Sequence, residues 1–165
     1  GIRYKDMEDK YFYIPDTSKW NNPMITVLPA AASSRLIDLH EFTKAKEIIE
    51  PLVDGDYEVI GVIRNLIICD LITILILEND YEKAKTYYTK DIQKFMKQMK
   101  SNPSVLRMGY AYQKWVIGSD DGAKQIKALF EKMAKTYPYP SDIEAERELF
   151  AIIDNKEEKT EEPAV

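Results

Sequence analysis

The chain has 165 residues, of which 45% are apolar and 31% charged, enough for one domain or a short repeat array with a buried core and a hydrated surface. The net charge is −5, and five acids against two lysines fall in residues 154–165, so the body is nearly neutral. That excludes a nucleic-acid binder working by phosphate neutralisation. One cysteine, Cys69, excludes an intramolecular disulfide, and one histidine, His40, excludes a site needing two imidazoles.

Gly1 precedes Ile2, with no charged leader and apolar run after it, so no signal peptide is visible. The expectation is a segment cut from a longer protein, with a mature processed chain as the alternative. Residues 1–22 carry Tyr4, Tyr11, Phe12, Tyr13 and Trp20 without a helical period, and Pro15 with Asp16-Thr17-Ser18 interrupts any helix. They read as an extended arm whose aromatics lie in grooves between helices. A juxtamembrane linker is the alternative, since Tyr, Trp and Lys favour membrane interfaces.

From 23 to 154 the pattern is that of a helical domain. Ala45, Ala84 and Ala123 recur at equal intervals of 39 residues within Thr43-Lys44-Ala45-Lys46, Glu82-Lys83-Ala84-Lys85 and Asp121-Gly122-Ala123-Lys124. Each alanine opens an amphipathic stripe. The first is Ala45, Ile48, Ile49, Leu52; the second is Tyr81, Ala84, Tyr87, Tyr88; the third is Ala123, Ile126, Phe130, Met133, Ala134. Ahead of each lies another apolar helical stretch, at about 24–41, 57–78 and 103–117. Three helix–turn–helix pairs follow, none able to bury its apolar face alone.

The boundary residues agree. Asn22-Pro23 and Asn102-Pro103 place a capping Asn before Pro at the first helical position. Asp56 and Asp80 are cap candidates for the helices after them, and Ser119-Asp120 divides the third pair. Tyr137-Pro138-Tyr139-Pro140 ends a helix, and Ser141 with Glu144 forms a capping box for a last helix of about 141–154. Its Ile143, Leu149, Phe150 and Ile153 are expected to cover the end of the stack. Residues 155–165 lack an apolar face, contain Pro163, and are expected to be disordered.

The segment Asn79 to Tyr88 resembles the second helix of a tetratricopeptide repeat, with small Ala84 at the close approach and Tyr88 four residues later. Glu41 to Ile49 repeats this with Ala45 and Ile49, and Tyr137-Pro138 matches the family's closing proline. The period of 39 departs from the family's 34, and the first helices lack its Trp, Gly and Tyr pattern. The resemblance covers about 27–138. It implies an all-α fold: a right-handed stack of three antiparallel helix pairs, tetratricopeptide-like, plus a C-terminal capping helix.

Residues 57–77 are the most apolar part of the chain. Arg64, Asn65 and Asp70 interrupt them too closely for a membrane span. No turn pair divides them into two strands, so a helix buried over most of its surface is expected. Asp70 then needs a partner, and Arg35 and Arg107 on the neighbouring first helices are the candidates.

No constellation in the sequence supports catalysis, and no cofactor or metal is expected. His40 lacks the second His of a zinc-protease helix, Cys69 reads as a core residue, and no glycine-rich loop precedes a helix. Glu144 and Glu148 read as a solvated face. A non-catalytic module binding a peptide or protein on a concave face is therefore the leading expectation. Arg35, Arg64, Asn65, Asp70, Arg107, Tyr112 and Trp115 are its candidate binding residues, and the arginines favour an acidic partner. The alternative is the cytosolic regulatory domain of a larger membrane metallopeptidase, tethered outside this segment. Residues 94–112 and 132–140 are similar to C-terminal segments of bacterial site-2-protease-type enzymes, although the HExxH motif is absent. A freestanding helical enzyme is a third option.

Overall fold

A computed structural model describes residues 23–157, so the expectations for 1–22, for Asn22 as a cap, and for 158–165 lie outside the described residues. The fold is all-α. Among the described residues there are eight α-helices: α1 Pro23–Asp38, α2 Phe42–Asp54, α3 Gly61–Leu77, α4 Tyr81–Tyr87, α5 Lys90–Gln98, α6 Pro103–Ala111, α7 Asp120–Ala134 and α8 Pro140–Asp154. A π-helical segment, Tyr112–Ile117, continues α6. No helix among the described residues is long and apolar enough to cross a membrane.

The chain divides into two compact units, Gly1–Leu71 and Ile72–Val165, with the boundary inside α3. In the first unit α1 and α2 pack against each other. Leu36 and Ile37 of α1 and Ala45, Ile49 and Leu52 of α2 are buried, which is the stripe expected from the 3.6-residue period. Thr26 Oγ1 donates to Glu58 O at 3.1 Å. This tie lies in the connection ahead of α3, which begins at Gly61 and not near Asp56. Asp56 is exposed in that connection and does not cap the helix.

In the second unit α6 packs against α5, α7 and α8. Every residue from Val105 to Ala111 is buried, so α6 is the centre of this core. Phe130 of α7 and Tyr110 of α6 meet Phe150 of α8, with ring centroids 4.5 and 5.0 Å apart. Ile143, Leu149, Phe150 and Ile153 are buried as the sequence pattern requires. The start of α8 differs: Pro140 takes its first turn, Tyr139 is the N-cap, and no side chain caps it. Ser141 thus lies inside the helix, because proline's fixed φ suits the first helical position and starts the helix one residue earlier.

The 39-residue interval is present in the backbone. Among the described residues, positive φ occurs at His40 (61°), Asn79 (63°) and Gly118 (75°), again 39 apart. Each follows the end of a helical segment: α1, α3 and the π segment. At His40 the pattern is a Schellman motif: His40 N–H donates to Ile37 O, and Glu41 N–H to Leu36 O at 2.8 Å. Asn79 repeats it with Ile76 and Leu75. The third turn is wider by one residue, Ser119 N–H donating to Gln113 O at 2.8 Å, as the π geometry requires. Four residues past each N-cap stand Ala45, Ala84 and Ala123, all buried, whose amides donate to Glu41, Asp80 and Ser119.

Local capping chemistry explains where several of these helices start. Asp80 accepts from Lys83 N–H, Asn102 from Val105 N–H ahead of Pro103, and Ser119 from Gly122 N–H. The stripe through Tyr87 and Tyr88 does not form one helix. Thr89 adopts extended backbone and accepts from Ile92 N–H, which ends α4 and starts α5. Tyr88 at the break stacks on Tyr112, with centroids 3.7 Å apart.

Candidate functional site

In the second unit a groove of about 260 Å³ with a mostly apolar lining lies between α5, α6 and α7. Met96 forms one wall and Ile126 with Leu129 the other, while Val105, Leu106 and Gly109 of α6 form the floor. A Cβ at Gly109 would lie 2.9 Å from Met96 Cε and 3.2 Å from Ile126 Cδ1, so the glycine lets both walls close over α6. Leu129 is 45% exposed despite its size. Tyr88 lies at the end of the groove, with Gln93, Lys97 and Lys100 at its rim.

The α5 wall is basic. Lys90, Lys94, Lys97 and Lys100 are all exposed. The first three recur at i, i+4 and i+7, on one helical face, while Ile92 and Phe95 on the other side are buried. Four basic side chains elsewhere in this unit meet carboxylates: Lys85–Glu82, Lys114–Asp154, Lys127–Asp154 and Arg147–Glu131. Lys100 lies just past the end of α5, and among the described residues no carboxylate lies within ion-pair distance of these four lysines.

The seven residues singled out from the sequence fall in both units. Arg35 is exposed on α1. Arg64 donates to Val53 O at 2.9 Å and Leu52 O at 3.4 Å, so it caps the carbonyl end of α2. Asn65 is half-buried and Asp70 buried on α3. Arg107 is 2% exposed and donates from one nitrogen to both carboxylate oxygens of Glu146, each at 2.8 Å. The two partners are 39 residues apart, the repeat interval. Tyr112 is buried against Tyr88, and burial pushes its hydroxyl above the ordinary tyrosine range. Trp115 donates its indole N–H to Ile153 O at 2.8 Å. Its ring lies under the Lys156 ammonium at 4.1 Å, and Lys156 also donates to Tyr81 Oη at 2.6 Å and Asn79 Oδ1 at 2.5 Å. The π segment and the C-terminal end of α8 are therefore joined through Trp115.

A second polar cluster secures the same end of α8. Asp154 accepts from Lys114 at 2.7 Å, from Lys127 at 3.2 Å and from the Tyr110 hydroxyl. Burial alone would raise the Asp154 pKa, but hydrogen bonds from Lys114, Tyr110 and Lys127 hold it below the ordinary aspartate value. Burial, then the bond to Asp154, pushes the Tyr110 hydroxyl far above its usual range, so it stays a donor.

Among the described residues no group of three or more His, Cys, Asp and Glu side chains is arranged to hold a metal ion. The groove residues Met96, Leu129, Lys97 and Lys100 escaped the sequence reading. The signal present was the i, i+4, i+7 lysine spacing together with Leu129 three residues past Ile126. No protein-family model, curated protein or solved structure matches the chain.

Proposed function

We propose that this chain is a non-catalytic helical-repeat module that binds a peptide or protein partner. In this reading its helices form three antiparallel pairs in a right-handed, tetratricopeptide-like stack, closed by α8. The recurrence of the left-handed turn at His40, Asn79 and Gly118 supports the repeat. Helices stacked in this way leave grooves suited to polypeptide side chains.

The observation carrying the binding reading is the apolar groove with Leu129 exposed at its edge. Its volume of about 260 Å³ is below the ~300–1,000 Å³ typical of small-molecule pockets, so it fits one or two side chains better than a cofactor. The concave-face residues of the sequence reading have other supports here: Arg107 is engaged by Glu146 and Arg64 by the end of α2. Panning a random displayed dodecapeptide library on the protein tests the reading. Enriched peptides should bind the wild-type chain and lose about tenfold or more in affinity to Leu129→Asp, since an exposed anchor contact is worth about 1–2 kcal/mol. Peptides that bind Leu129→Asp unchanged would remove the groove from the function.

A further inference from the structure

We infer that the partner segment is an acidic peptide that seats one bulky apolar side chain in the groove between α5, α6 and α7 and sets its carboxylates against the α5 lysines. This rests on the peptide-binding reading above and names the chemistry of the partner. Charge complementarity carries it. The chain as a whole has a net charge of −5, yet beside the groove stand Lys90, Lys94 and Lys97 of α5 and Lys100 just past its end, with no carboxylate partner among the described residues. What sets this wall apart is the run of like charge beside an apolar groove; Lys46 and Lys85, by contrast, sit beside Glu50 and Glu82.

The geometry fixes the layout of such a peptide. Lys97 and Lys100 stand at the groove rim, so carboxylates next to the apolar anchor meet them first. Lys90 and Lys94 continue the positive stripe along α5. From Lys90 to Lys97 the helix advances about 10 Å, at ~1.5 Å per residue. An extended peptide covers that length in about three residues, at ~3.3 Å each. The recognition unit is therefore a Leu, Met or Phe with Asp or Glu on one or both sides within about three residues. Met96 suits it, because an unbranched thioether side chain adjusts its shape to different anchors.

The panned library tests this directly. Enriched sequences should share a bulky apolar residue flanked by Asp or Glu. A synthetic peptide of that sequence should bind the Lys97→Glu/Lys100→Glu double variant at least about tenfold more weakly, and should weaken as salt rises. Both lysines are exposed, and circular dichroism will check that the double variant retains its helices. Enriched peptides without acidic residues, lost on Leu129→Asp but indifferent to the lysine reversal, would overturn the acidic partner while leaving the peptide-binding reading intact. No peptide enriched over an unrelated helical protein would overturn both.

Discussion

The Arg107–Glu146 pair is the residue-scale feature with the largest energetic consequence. Both side chains are buried, so the loss of one takes a close, desolvated counter-ion away from the other. Glu146→Leu should destabilise the chain by about 3–5 kcal/mol, read as a lower urea midpoint. Arg107→Met combined with Glu146→Leu should recover most of that loss, because the desolvation cost of both ions goes with them. A double variant no better than the single one would show that the pair has no such coupling. Asp154 makes a pH prediction of the opposite kind. Its pKa is lowered in the folded chain, so its contribution is complete above the unfolded value near ~3.9 and is lost as pH falls through the folded value. Above about pH 5, Asp154→Asn should lower stability by about 1–2 kcal/mol, by loss of the charged acceptor for Lys114, Tyr110 and Lys127. The difference from wild type should shrink as pH falls below about 4, in thermal melts taken across that range.

At the scale of elements, the three left-handed turns separate backbone strain from contact. Gly118 has φ of 75° with open space around its missing Cβ, so Gly118→Ala should cost about 1 kcal/mol through conformation alone. Gly61 also has open space, but it stands at the start of α3 with no left-handed backbone, and Gly61→Ala should be neutral or slightly stabilising. Chemical denaturation of the two variants checks the contrast. The elements that sequence reasoning anticipated are those decided locally. Asp80, Asn102 and Ser119 cap because their side chains reach amides three residues on, a contact within one turn. The break between α4 and α5 and the π segment were not legible. Tyr88 at that break stacks on Tyr112 in the π segment, and nothing in either local sequence specifies such a contact.

For the whole molecule, the 39-residue interval was legible because small alanines must recur wherever two helices approach closely, and Ala45, Ala84 and Ala123 are all buried. The groove was not legible, because it exists only where three helices leave a gap. Met96, Gly109 and Leu129 carry no mark of that gap in the linear pattern. Arg107 reads in the sequence both as a binding residue and as a partner for Asp70; its pairing with Glu146, 39 residues on, has no mark in either local stretch. Binding of an acidic peptide at the α5–α6–α7 groove can be followed residue by residue by titrating an enriched acidic peptide into the ¹⁵N-labelled chain and recording amide shifts. Perturbations should concentrate at Met96, Lys97, Lys100, Gly109, Ile126 and Leu129. Shifts concentrated instead at Arg35, Arg64 and Asn65, with the groove amides unmoved, would contradict binding at the groove.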